Sequence, residues 1–282
     1  MRATRHTWMT DFHADNPYSL SLTRPITIVE SEDVDVEYTA PGETESRTLA
    51  CSVYEFIFPY RDQDRQPRIG RARMYLPPAI ESRPARRSVP TLLSIHYEFG
   101  IDGSKRYLAE GWVVITPYGG GDDHMFNLVG SGMDHTLEMA KLVRRLGFVD
   151  LQRIGWFGGS AGGYQCLITA ESIWPVAAAV ANVPLSDLEY DLECIEWSER
   201  YNRGITEERA LTIPIVRFVK GISDGTRRGS GNDPDVLWKN SAPIGASLIR
   251  SPLAIHTCSG DLLCPSPQIG PDFERVPERG IM

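Results

Sequence analysis

The sequence has no long apolar run, no block of basic residues and no paired-cysteine motif, and each absence removes a class of function. No stretch approaches the roughly 18 apolar residues that a membrane-crossing helix needs, so no membrane partner is expected. Lysine and arginine occur at most in pairs such as Arg86-Arg87, and the formal net charge is -8. A nucleic-acid partner needs a basic footprint, so none is expected. The five cysteines (51, 166, 194, 258 and 264) are scattered, with no Cys-x-x-Cys. Structural disulfides are therefore not expected, and a reduced, cytoplasmic setting is. Met1 to Trp8 is basic but lacks an apolar core, so no secretory leader is expected. His124 beside Asp122-Asp123 is the one local grouping of metal-ligand types weighed, and no second ligand cluster supports it. No metal and no cofactor are expected.

The 282 residues suit one large α/β domain. Residues 1–66 read as a β-rich extension. Apolar alternation marks strands at Pro25–Glu30, Asp35–Tyr38, Leu49–Phe58 and Arg68–Pro77. After a Pro/Arg/Ser linker at Glu81–Arg87, the strands become continuous apolar runs. These are Val89–His96, Trp112–Thr116, Ile154–Phe157, Val176–Ala181 and Pro252–His256. Such runs belong to a parallel sheet covered on both faces. An amphipathic helix is predicted over Asp134–Leu146, with Gly147 as its stop. Strand and helix in alternation imply a doubly wound, mostly parallel sheet with right-handed crossovers. From about 187 to 240 the periodicity weakens, and the segment is read as a lid over the sheet within a domain spanning 67–282.

Gly158-x-Ser160-x-Gly162 follows the apolar run Ile154–Phe157, and Tyr164–Ala170 can continue as a helix. A sharp turn between strand and helix projects a serine hydroxyl above the sheet, and glycines beside it remove colliding side chains. Ser160 is the predicted nucleophile. The Ala161 N–H, at the helix start, is the predicted first oxyanion donor. The same glycines lack the lysine of a phosphate-binding loop and do not fit Gly-x-Gly-x-x-Gly, so nucleotide binding ranks well below. The strand Pro252–His256 delivers Gly260-Asp261. From there, a carboxylate can fix an imidazole tautomer and stabilise the imidazolium.

The run Arg153-Ile-Gly-x-x-Gly-Gly-Ser-x-Gly-Gly-Tyr164, the segment Ala177–Asp187, and Ser251-Pro252 with Gly260-Asp261-x-x-x-Pro265-x-x-Gln268 together resemble the catalytic domain of the prolyl oligopeptidase family and related esterases, within the α/β-hydrolase superfamily. The similarity covers roughly residues 67–268. It implies an α/β-hydrolase fold and a serine hydrolase, peptidase-like or carboxylesterase, acting through an acyl-enzyme on a small-molecule ester or peptide. It also implies a second oxyanion donor after the strand Val89–His96. There Tyr97 and Glu98 replace the usual glycines, and Tyr97 can donate through its N–H or its phenol.

The resemblance further implies a general-base histidine beyond Asp261, followed by a strand and a helix. None of the six histidines (6, 13, 96, 124, 135 and 256) lies there. Gly270–Gly280 reads as loop, so the C-terminal strand and helix are expected to be missing. Three accounts stand: a truncated hydrolase, an enzyme that recruits His124 as base, or a catalytically inactive binding protein on the same fold.

Overall fold

In a computed structural model, the structure describes residues 26–80, 85–119, 127–172, 175–201, 207–259, 261, 263–264 and 266–269. Eight strands form one mixed sheet in the order β1-β2-β3-β5-β4-β6-β7-β8. They are β1 (Thr27–Tyr38), β2 (Arg47–Arg61), β3 (Pro67–Leu76), β4 (Val89–Ser94), β5 (Val113–Pro117), β6 (Val149–Gly159), β7 (Ala178–Asn182) and β8 (Leu253–His256). Three helices follow the strands: α1 (Gly100–Ala109), α2 (Ser131–Arg145) and α3 (Ala161–Ser172). The chain divides into two compact units, residues 1–120 with 138–156, and residues 121–137 with 157–282.

In the first unit, β1, β2 and β3 form an antiparallel meander, and β3 continues antiparallel onto β5. The two segments read separately as Pro25–Glu30 and Asp35–Tyr38 are one strand, interrupted only by an irregularity between Ile28 and Glu30. Its alternation was obscured by Glu30, Glu32, Asp33, Asp35 and Glu37, which are mostly exposed. β1 ends the strand order, and acidic side chains along an outer strand discourage pairing with another chain. β4 pairs parallel with β5, and both are buried along nearly their whole length, as their continuous apolar sequences require. Phe56, Met74, Leu93, Val113, Val114, Ile115 and Phe148 are at 0% exposure and make the core. Each such side chain contributes about 1.5–3 kcal/mol by leaving water.

The predicted helix at 134–146 is α2. Met139, Ala140, Leu142 and Val143 are buried, while Lys141 and Arg145 are exposed. Its C-terminal carbonyls are met by Arg87, whose Nη1 donates to Arg144 O at 2.9 Å and Leu146 O at 3.2 Å. A cation at that end also complements the helix dipole.

In the second unit, β7 and β8 pair in parallel from Ala179↔Leu253 to Asn182↔His256. The weakly periodic stretch 187–240 is helical rather than irregular. It holds α4 (Leu188–Tyr201), α5 (Glu207–Ala210), α6 (Pro214–Ser230) and α7 (Pro234–Lys239), and α8 (Ala242–Gly245) follows. Local signals set their ends. Asp187 Oδ1 accepts from Tyr190 N at the start of α4, and Asp233 caps α7 ahead of Pro234. Gly231, at φ 66, closes α6. The glycines and other small residues of Gly225–Ser230 form the last turns of α6, although glycine is a poor helix former. In the fold their smallness serves packing. Thr226 Oγ1 accepts from Leu128 N at 3.2 Å, and a Cβ on Gly229 would strike the Asn127 side chain.

Among the described residues, no helix is long and apolar enough to cross a membrane, and no group of three or more His, Cys, Asp or Glu could hold a metal ion. The predicted loop 270–280 lies outside the described residues.

Candidate active site

The turn from β6 into α3 places Ser160 at φ 53, a left-handed conformation that non-glycine residues seldom adopt. Three observations explain how the chain holds it. The Ser160 N–H donates to the Asn182 carbonyl at the end of β7 at 2.9 Å, and the Ser160 carbonyl accepts from Tyr164 N at 3.1 Å. A Cβ on Gly158 would collide with the Gly162 carbonyl. A Cβ on Gly163 would come within 2.9 Å of Pro184 and 3.1 Å of the Asn182 carbonyl. Gly163, outside the Gly-x-Ser-x-Gly pattern, is thus also hemmed in, though less tightly than Gly158. Ala161 is buried in the first position of α3, where a backbone N–H has no acceptor inside the helix.

Asp261 lies in a tight turn after β8. Its N–H donates to Cys258 O at 3.1 Å, and its Oδ1 accepts from Leu263 N and Cys264 N, each at 2.9 Å. The same turn brings the Cys264 thiol to 3.9 Å from the Ser160 hydroxyl, and either can donate. Asp261 and Ser160 are therefore joined through Cys264, a residue no local sequence pattern singled out. Cys264 is buried under the turn, while Cys258 is exposed. Burial, reinforced by the charges of Asp191 and Asp261, pushes the Cys264 thiol up to about 12, so it stays protonated.

Sequence reasoning also missed a bracket behind the acid turn. The short 3-10 turn Ser266–Ile269 carries Gln268. Gln268 Oε1 accepts from Ser186 N at 2.6 Å, Ser186 Oγ at 3.2 Å and Asp187 N at 3.4 Å. Its own carbonyl accepts from Ser186 Oγ at 2.9 Å, and its Nε2 donates to Pro184 O at 3.3 Å. Asp191 is fully buried alongside, with Oδ2 accepting from Ser186 N at 3.1 Å. Burial raises its carboxyl to about 8, with the Asp187 and Asp261 charges adding to the rise. The usable signal was Gln268 itself, which belongs to the acid motif but carries no obvious chemistry.

Tyr97 lies in the first unit, just after β4. The preceding His96 is buried at φ 71, and the Tyr97 N–H donates to Ile95 O at 2.8 Å, closing a three-residue turn. The Tyr97 carbonyl accepts from Ser94 Oγ at 2.9 Å and Thr116 Oγ1 at 3.3 Å, while Phe99 N donates to Thr116 Oγ1 at 2.8 Å. Glu98 is held by Arg73 at 2.8 Å and by the Tyr75 hydroxyl at 3.4 Å. The residues that replace glycine here are thus anchored by side-chain bonds. His124 lies outside the described residues.

A mixed sheet with helical crossovers and a strained serine between strand and helix defines the α/β-hydrolase fold. The prolyl oligopeptidase family (Peptidase_S9) profile matches residues 122–212, a stretch that contains Ser160. Among solved structures, the chain is similar to puromycin hydrolase, with a TM-score of 0.56 and 17% identity over 83% of this chain and 40% of that one. It is also similar to the acetyl xylan esterase from Paenibacillus sp. R4, with a TM-score of 0.54 and 14% identity over 95% and 82% of the two chains. A third similar structure is the rice cell wall degrading esterase LipA from Xanthomonas oryzae, with a TM-score of 0.53 and 14% identity over 91% and 89%. The chain therefore spans about two fifths of the length of puromycin hydrolase. No curated protein matches the sequence. These likenesses bear out the α/β-hydrolase fold read from the elbow and acid motifs.

Proposed function

We propose that the chain is a serine hydrolase that transfers an acyl group from an ester or peptide to water through Ser160. The observation that carries this reading is the left-handed Ser160 between strand and helix, with Gly158 and Gly163 giving the close approaches that the turn needs. Ser160 Oγ attacks the substrate carbonyl and loses its proton to a base, for which His124 is the candidate. The Ala161 N–H stabilises the oxyanion, and Asp261 orients the base. Collapse of the tetrahedral intermediate breaks the C–O or C–N bond, and the leaving group takes the proton. Water then releases the acid from the acyl-enzyme. Tyr97, the second donor expected from the sequence, has its N–H committed to the Ile95 carbonyl.

One contact favours a second reading, a binding protein on the same fold. The Ser160 hydroxyl lies beside a thiol that stays protonated, and a thiol in that state cannot take the serine proton. A fluorophosphonate probe separates the two. Labelling mapped to Ser160 in the full chain supports the hydrolase, and absence of labelling overturns it. Turnover of p-nitrophenyl acyl esters against aminoacyl and prolyl amides then assigns the substrate class.

A further inference from the structure

The turn that carries Asp261 is tied to the rest of the second unit at its far end. Of the bonds that tie it there, five hydrogen bonds converge on Gln268: three onto Oε1, one onto its carbonyl and one from Nε2. Their partners, Pro184, Ser186 and Asp187, lie on the segment that leaves β7. The same segment begins with Asn182, whose carbonyl holds the Ser160 N–H, and with Val183, whose N–H donates to His256 O at the end of β8 at 2.7 Å. One stretch of backbone is thus bonded to the nucleophile at one end and, through Gln268, to the acid segment at the other.

We infer that Gln268 is a positioning residue for the acyl-transfer site, fixing where Asp261 and Cys264 stand relative to Ser160. This rests on the reading of Ser160 and Asp261 given above. Its physical basis is the division of labour within the side chain. An amide offers an acceptor and a donor on one planar group, so it can collect the N–H groups of Ser186 and Asp187 and still return a hydrogen to Pro184 O. A leucine of similar size does neither. It would leave the buried Ser186 without this acceptor and release the acid turn from its far anchor. Misplacement of catalytic groups by about 1 Å is enough to slow chemistry by up to about 100-fold.

The test is the second-order rate of fluorophosphonate labelling at Ser160 in the full chain, measured for Gln268→Leu, Asp261→Asn and the double variant. A positioning role acting through Asp261 slows labelling at least about tenfold on its own, and less than about twofold further once Asp261 is already Asn. Equal slowing in both backgrounds means that Gln268 only supports the fold, and overturns the inference. So does labelling of Gln268→Leu at the wild-type rate. Ser186→Ala keeps the backbone N–H bonds and removes the hydroxyl ones, so it gives the same pattern at smaller amplitude should Gln268→Leu not fold. Wild-type protein that does not label at all overturns the nucleophile reading itself, and a wild type that labels while Asp261→Asn does so equally well overturns the role of the acid. These results are distinct from a failure at Gln268 alone.

Discussion

Among the strands followed by a left-handed residue other than glycine, two stand in contrast: β6, with Ser160 at φ 53, and β4, with His96 at φ 71. Each conformation costs of order 1–3 kcal/mol, and the chain holds the two by opposite means. At Ser160 the turn is made possible by what is absent. Side chains are missing at 158 and 163, where the backbone of a neighbour passes too close to admit one. At His96 the turn is held by what is present: Ser94, Thr116, Arg73 and Tyr75 all bond the residues that follow. A turn built from glycines leaves its central hydroxyl open to chemistry. Both turns commit a backbone donor, Ser160 N–H to the Asn182 carbonyl and Tyr97 N–H to the Ile95 carbonyl, but only the second is also bound by side chains from other strands. The first arrangement suits a nucleophile, and the second suits a support.

That contrast can be broken at several points. The largest effect is expected from Ser160→Ala, which should reduce fluorophosphonate labelling and any turnover at least about 1,000-fold, while the urea midpoint barely moves. A large loss of stability instead would show that the hydroxyl holds the turn. Gly158→Ala should destabilise by about 3 kcal/mol or more, because its Cβ meets the Gly162 carbonyl and backbone must shift. Equilibrium unfolding reads this directly, and a near-neutral result would remove the claim that the elbow depends on missing side chains.

A third effect concerns pH and the far end of α3. Glu171, near the end of α3, has its carboxyl raised by burial from 4.5 to about 8. The folded chain therefore keeps a proton that the unfolded chain releases. The associated stability is complete below about pH 4.5, declines as pH rises toward 8, and is level above. Glu171→Gln should flatten that decline, with an advantage over wild type of about 3 kcal/mol by pH 9. Urea midpoints for both proteins at pH 5 and pH 9 provide the check, and parallel curves would contradict it. Glu98, beside the other turn, is paired with Arg73 at 2.8 Å. The smallest effect belongs to Thr116→Val. It removes the acceptor of Phe99 N and one donor to the Tyr97 carbonyl in a fully buried place, at about 1–2 kcal/mol. Labelling of Ser160 should change less than the urea midpoint does.

The same contrast explains what could be read from the sequence. Apolar runs and their spacing located all five strands from β4 to β8, because the buried part of each is apolar, although β6 begins at Val149, five residues ahead of its run. The elbow was legible because steric exclusion leaves glycine as its trace. The turn after β4 was not, since it depends on Thr116 and Arg73, which lie on other strands and meet Tyr97 and Glu98 only in the fold. Within 187–240, α6 was obscured by Gly221, Gly225 and Gly229, since glycine is a poor helix former, although the helix keeps an amphipathic pattern. Cys264 and Asp191 were overlooked for a related reason. Their chemistry comes from burial beside other acids, and no local pattern announces burial.

The φ of Ser160 also acts as a filter on the chemistry that can occupy its place. A residue branched at Cβ is a true outlier at φ 53, whereas serine, cysteine, asparagine, aspartate and glycine are tolerated there. Threonine there carries an added backbone cost of about 1–3 kcal/mol, of the kind the chain accepts at Val183, φ 41. Among hydroxyl side chains the position favours a primary alcohol over a secondary one. The shape of one turn thus restricts which reactions this site can reach by substitution, independently of any substrate.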